Sequence, residues 1–195
     1  AQARISALQA LIRPHFLFNS MNTIASLTRT DPRQAEEAVE DLSDLLRASL
    51  SSNRNRTTLK EELEVAAIYH RIEKLRLGDR LRIRWDIGAL PMRSRIPSLT
   101  IQPLIENAIY HGIELLPDGG DVIVSGRRDG KYLEISVSNP VAAGKARSKN
   151  GNKMALANIR QRFELAYGTR ASVKVEQSDG TYTVALRFPV DEDES

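Results

Sequence analysis

The sequence predicts an α+β protein, a two-helix hairpin followed by a two-layer α/β sandwich. Three observations predict it. As far as Leu50 the apolar residues recur at helical spacing and no segment alternates. From Arg80 onward several segments alternate strictly between apolar and polar residues, which is the period of a half-buried strand. Between those segments lie amphipathic helical stretches, so one mixed sheet is covered by helices on one face.

Residues 4–28 read as helix, with Ile5, Leu8, Ile12 and Phe16 on one side. Pro14 removes a backbone donor inside it and predicts a kink. Thr30-Asp31-Pro32 is a turn that opens the next helix, with Asp31 as cap and Pro32 at the first helical position. Ala35, Val39, Leu42, Leu46 and Leu50 then form a narrow apolar stripe. Two helices with one seam each bury those seams best as a dimeric four-helix bundle. Ser51–Arg56 is polar and marks a boundary, giving an expected hairpin domain over 1–55 and a sandwich domain over 56–195.

Thr58-Leu59-Lys60-Glu61 reads as a capping box that opens a helix running to about Gly78, with Leu59, Leu63, Ala66 and Ala67 inward. Arg80–Ile87 is a strand. The helix that follows starts near Thr100, because Pro103 is tolerated only in a first turn. Its residues Ile101, Leu104, Ile105, Ala108 and Ile109 share one face. Glu106, Asn107, Tyr110 and His111 fall on the opposite, polar face, and Gly112 is a stop. Asp121–Arg127 and Lys131–Ser138 form a hairpin around Asp129-Gly130. Asn139–Asn152 has no periodicity and reads as a loop. Leu156, Ile159 and Phe163 mark a helix from Met154 to Gly168, and two strands meeting at Asp179-Gly180 close the fold before a frayed acidic tail.

Composition excludes several function classes. The 195 residues hold no cysteine, so neither a disulfide framework nor a thiolate metal site exists. The net charge of +3 is scattered and makes no nucleic-acid footprint. No apolar run approaches the roughly 20 residues that span a bilayer. With a first residue other than Met, the expectation is a soluble fragment of a longer protein.

Of the three histidines, two have two readings each. His15 projects onto the side of Leu8, Ile12 and Asn19. It is either a packed ring hydrogen-bonded to Asn19 at i+4, or a nucleophile that the Pro14 kink turns into solvent. His70 sits mid-helix and reads as structural. His111 either caps its helix or faces a phosphate beside Asn107.

The run Pro103-Leu104-Ile105-Glu106-Asn107-Ala108-Ile109-Tyr110-His111-Gly112 resembles the N box of sensor histidine kinases, in particular the LytS-like branch that includes the AlgZ/FimS sensors. Ile12-Arg13-Pro14-His15-Phe16-Leu17-Phe18-Asn19 resembles the phosphoacceptor motif of the same branch, and Tyr69, Glu73 and Arg76 follow its pattern. The resemblance runs from about Leu8 to Phe188. It implies a sandwich of the GHKL ATP-binding type and a kinase using ATP and Mg²⁺.

His15 then attacks the γ-phosphate, Glu106 is the base, and Asn107 is the metal ligand. Tyr110, His111 and Asn158 lie with them at the nucleotide, Asn139 reads adenine, and Gly151 belongs to the glycine-rich box. The sequence departs from the family in two places. Asn139 stands where an Asp is usual, and Lys153 and Ala155 occupy two of three usual glycine positions.

The implied partners are a second copy of the chain and a response regulator of LytTR type, with no direct nucleic-acid contact. The implied location is the cytoplasmic side of an inner-membrane protein, with the hairpin and sandwich moving relative to each other during transfer. A degenerate kinase acting through its regulator, with weak or no ATP binding, and an ATPase of the gyrase superfamily remain as alternatives.

Overall fold

The computed structural model describes residues 14–51, 56–142 and 149–191. Helix α1 (Pro14–Thr30) and helix α2 (Pro32–Ser51) form the hairpin. Strand β1 (Arg56–Thr58), helix α3 (Leu59–Leu77), strand β2 (Leu81–Asp86), strand β3 (Arg95–Pro97) and helix α4 (Ile101–His111) follow. Strands β4 (Gly120–Asp129) and β5 (Tyr132–Pro140), helix α5 (Lys149–Tyr167), and strands β6 (Ser172–Ser178) and β7 (Thr181–Pro189) complete the chain.

Five strands form one mixed sheet in the order β2-β4-β5-β7-β6, in which only β2 and β4 run parallel. The alternating residues point as the pattern requires. Val122, Val124, Leu133, Ile135, Val137, Val184, Leu186 and Phe188 are buried beneath α3, α4 and α5. The opposite face carries Ser125 bonded to Ser136, Ser138 bonded to Thr183, and an ionic ladder of Arg127, Glu134 and Arg187. The turn at Asp179-Gly180 has positive φ at both residues, the geometry that suits a tight hairpin.

Capping matches the local sequence. Asp31 Oδ1 accepts from the Gln34 amide at 3.0 Å. Thr58 Oγ1 accepts from Glu61 N at 3.2 Å while Glu61 Oε2 accepts from Thr58 N at 3.1 Å, a complete capping box. The segment expected as linker ends in β1, which pairs with β3 in a two-stranded sheet and stitches the start of α3 to the entry of α4. Strands of three residues leave no periodic signal, so neither was expected.

Four expectations change. The buried stripe of α2 is Ala35, Ala38, Leu45 and Ser49, while Val39 is 50% exposed, because α2 turns toward α1 and α3. Asn139 belongs to β5, opposite Tyr182, rather than to a loop. Helix α5 begins at Lys149, so Gly151 lies inside its first turn rather than before it. Half of the supposed polar face of α4 is buried: Glu106 and Asn107 are enclosed by α3, α5 and the sheet, while Tyr110 is exposed and His111 half-buried. The Pro14 kink, the turns before it and the frayed tail after Asp191 lie outside the described residues. No helix among the described residues is long and apolar enough to cross a membrane.

The N-terminus of α4 is fixed by one side chain. Glu62, buried in α3, accepts from the amides of Leu99, Thr100 and Ile101 at 2.6, 2.8 and 2.9 Å. These are the orphan donors of a helix start, and a carboxylate there also meets the positive end of the helix dipole. Burial pushes the Glu62 carboxyl above the usual carboxylate range, against the pull of the three N–H donors and of Arg162. At the other end, Gly112 packs on Asn139. A Cβ at Gly112 would overlap the Asn139 amide nitrogen and stand 2.5 Å from the Ala108 carbonyl oxygen.

Two outcomes follow for stability. Glu62→Ala leaves three buried donors without an acceptor, costing about 3 kcal/mol or more. For a chain of this size that lowers the melting temperature by roughly 6–12 °C in a thermal unfolding curve. Gly112→Ala costs about 1–3 kcal/mol by overpacking. Gly78→Ala, where φ is +56° and nothing lies within 4 Å, costs a comparable amount, about 1–3 kcal/mol, through backbone strain rather than overlap, and urea titrations of the two variants measure both.

Candidate functional site

The hairpin lies against α3, and this docking decides where His15 sits. Phe16, buried, stacks on the Tyr69 ring with centroids 4.7 Å apart and planes 28° apart. Arg71 holds Asp41 of α2 in a two-pronged pair, Nε to Oδ2 at 2.9 Å and Nη2 to Oδ1 at 2.5 Å. With Phe16 pinned, the preceding side chain must leave the seam. His15 is accordingly exposed and stands edge-on to Tyr110, with ring centroids 6.2 Å apart.

His15 is both hydrogen-bonded and exposed. Its Nδ1 lies 3.0 Å from the Asn19 amide nitrogen, the i+4 contact expected of a packed ring, yet the ring reaches the surface. The terminal atoms of an Asn amide are interchangeable by a flip, so the same contact also serves Nδ1–H donating to the amide oxygen.

A narrow cleft of about 20 Å³ separates His15 and Asn19 from Glu106, Ile109 and Tyr110 of α4. That is room for a water molecule. Tyr69, Glu73 and Arg76 form its α3 wall and Glu114 closes one end. The Arg76 guanidinium is shared by the carboxylates of Glu73 and Glu114. Burial pushes the Glu73 carboxyl up, and Arg76 pulls it back down.

Glu106 is 8% exposed and accepts from Gln102 Nε2 at 3.0 Å. Asn107, 5% exposed, lies one residue on. Tyr110 is the one side chain of that group that is exposed, at 39%, and its ring meets His111 edge-on at 4.9 Å. Asn139 is buried under Gly112, and its Nδ2 donates to the Pro140 carbonyl at 2.9 Å.

The structure therefore brings His15, Glu106 and Tyr110 to one cleft, with Asn107 and His111 on the same helix. Asn139 stands at the C-terminal end of that helix. Asn158 is exposed on α5 and does not line the cleft. His70 is half-buried near Trp85, and burial lowers its pKa, aided by Lys74 and Arg71. Sequence reasoning missed Glu62, Glu114 and the contact of Gly112 with Asn139. Only the i, i+3 spacing of Glu73 and Arg76 was visible in the chain.

Comparison with known proteins places this geometry. The family model described as histidine kinase matches residues 3–81. The sensor histidine kinase BtsS of Escherichia coli (strain K12) is 33% identical over 189 residues, which is 96% of this chain and 34% of that protein. The sensor protein LytS of Streptococcus agalactiae is 32% identical over 201 residues, 97% of this chain and 34% of that protein. Sensor histidine kinase YpdA of E. coli is 36% identical over 176 residues, 86% of this chain and 31% of that protein. The chain spans about a third of the length of the curated relatives it matches.

Among solved structures, the catalytic domain of histidine kinase ThkA superposes with a TM-score of 0.52 at 11% identity, covering 70% of this chain and 95% of that one. The histidine kinase domain of a blue-light activated histidine kinase from Erythrobacter litoralis gives 0.52 at 16% identity, over 96% and 91% of the two chains. The shared fold is the GHKL type of histidine kinase catalytic domains. With the sequence matches running through both the hairpin and the sandwich, the chain belongs to the LytS-like family of sensor histidine kinases.

Proposed function

We propose that this chain is the kinase core of a two-component sensor, transferring the γ-phosphoryl group of Mg-ATP to His15 and from there to an aspartate of a response regulator. The observation that carries the reading is the cleft in which the His15 ring faces Glu106 and Tyr110 of the helix bearing Asn107. In this reading residues 1–55 are the phosphoacceptor unit and 56–195 the ATP-binding unit.

The donor set suits the nucleotide. Among the described residues no group of three His, Cys, Asp or Glu could hold a metal ion, so those residues offer no cage of carboxylates and imidazoles. Mg²⁺ does not need one, because it keeps most of its waters and binds through phosphate oxygens and one or two hard protein oxygens. The amide oxygen of Asn107 is such a ligand. At the other end of α4, the Asn139 amide nitrogen is engaged by Pro140, which leaves its oxygen to accept from the amino group of adenine. Bound Mg-ATP supplies the phosphoryl group and neutralises charge on it. The residues of the chain supply position.

His15 attacks as a neutral imidazole. Asn19, with its amide oxygen toward Nδ1–H, fixes the tautomer that leaves the Nε2 lone pair free. Glu106, held by Gln102, orients the ring or takes a proton. The water-sized cleft leaves no room for a phosphoryl group, so the hairpin and α4 must part before transfer, a gating movement of the kind that limits many enzymes.

A response regulator as second substrate fits the relatives' names, and ThkA itself has been solved in complex with its response regulator protein TrrA. The second copy of the chain would seat on the side of α2 that leaves Val39 exposed. A LytTR-type regulator and a membrane anchor outside this segment complete the reading.

Incubation with γ-labelled ATP tests it. The wild type is expected to retain acid-labile, base-stable label. His15→Gln should retain none, and Asn107→Ala should lose about 100-fold or more in rate, the scale on which a charge-stabilising contact acts. Label that persists in His15→Gln overturns the assignment, and absence of heat with Mg-ATP in calorimetry would favour a degenerate kinase.

A further inference from the structure

We propose that Glu73 is a positioning residue for the phosphoryl transfer, supplying the negative charge against which the His15 ring becomes cationic. This rests on the kinase reading above and assigns a task that α1 leaves open.

The task follows from the electron count. The Nε2 lone pair of His15 forms the bond to the γ-phosphorus, and the bond from that phosphorus to its bridging oxygen breaks. The electron pair departs on that oxygen with ADP. The ring, still carrying its Nδ1 proton, is left with a positive charge until the proton is lost to solvent. A carboxylate close to the ring lowers the energy of that state.

Helix α1 provides none. From Pro14 to Thr30 it contains no Asp or Glu, and the chain neighbours of His15 are Pro14 and Phe16. The acidic residues of α2 do not line the cleft either. The countercharge therefore has to come from across the cleft, where α3, α4 and the turn after α4 present three carboxylates, Glu73, Glu106 and Glu114, to one guanidinium, Arg76. Three to one leaves the cleft negative, which suits a cationic ring.

Of the three, Glu114 is shared with Arg76 at the far end, and Glu106 is adjacent to the proposed metal ligand. Glu73 is 3% exposed, so its charge is little screened by solvent. It is locked against Arg76 at i+3 on a rigid helix that also carries Tyr69, the platform for Phe16. Burial raises the Glu73 carboxyl, Arg76 is the main group that pulls it back down, and His15 adds a smaller pull in the same direction. The other titratable groups facing His15 are Tyr69 and Arg76 from α3, Glu106 and Tyr110 from α4, and Glu114 beyond it.

The chain has three histidines, so their ring signals separate in an NMR pH titration. Glu73→Gln keeps the shape and a hydrogen bond to Arg76 while removing the charge. The His15 ring signals are expected to titrate at lower pH than in the wild type, with those of His70 unmoved as the control for a merely structural effect. The rate of labelling from γ-labelled ATP at neutral pH should fall about tenfold or more, with its rising pH limb moved to lower pH. Glu73→Asp should recover part of the rate.

An unchanged His15 titration, or a lowered one with an unchanged labelling rate, overturns the proposal. Movement of His70 together with His15 also overturns it, since the effect would then be structural. Failure of the wild type to take label would sink the kinase reading, and the titration, which needs no nucleotide, would then decide the electrostatic contact by itself.

Discussion

The site hangs on the contact between the Glu62 carboxylate and the first amides of α4. A helix start buried among α3, α5 and the sheet has donors that water cannot reach, and three of them converge on one side chain. The same place is tied from a third side, since Arg162 of α5 donates to the carbonyls of Ser98 and Leu99 at 2.8 and 3.2 Å. Leu99 is held there at a φ of +58°, a strained conformation for a branched residue that the surrounding bonds maintain. Every residue proposed to act from α4 takes its position from this anchor. Glu106 and Asn107 lie only one to two turns away, where an error in the helix start would be carried almost undiminished.

The second determinant is the seating of the hairpin. An aromatic stack, Phe16 on Tyr69, and one two-pronged ion pair, Asp41 with Arg71, join α1 and α2 to α3. The stack contributes more than the pair. Arg71 is half-exposed, and ion pairs open to solvent are worth little, whereas a buried Phe contributes about 2–3 kcal/mol. The order of residues also matters. Because Phe16 faces α3, its neighbour His15 faces the open end of α4, and alternation of environment along one turn turns a packing contact into a presentation of the ring.

How much of this was legible in the sequence depended on whether the partner was near in the chain. The capping box at Thr58 and Glu61, the Asp31 cap, the hairpin turns and the sandwich with its helices on one face are local or periodic signals, and the structure bears them out. The contact of His15 with Asn19 was legible for the same reason, being four residues long. The burial of Glu106 and Asn107 was not, because projection on a helical wheel assumes one wet side, whereas α4 reaches solvent only toward its end, at Tyr110 and His111. Glu62 was invisible because its partners are backbone amides nearly forty residues away, and a backbone amide carries no sequence signature. The short strands β1 and β3 were lost to their length, and the extension of β5 through Asn139 to its pairing with Tyr182.

The stack of Phe16 on Tyr69 has a consequence for signalling. Since His15 and Phe16 are adjacent residues on one rigid helix, the chain cannot withdraw the first from α4 without also wetting the second. At about 2–3 kcal/mol for that exposure, the parted form would make up only a few molecules in a hundred or fewer at rest. In the kinase reading proposed above, anything that loosens this one aromatic contact would raise that fraction, so the same pair of rings would set both the resting level and the response.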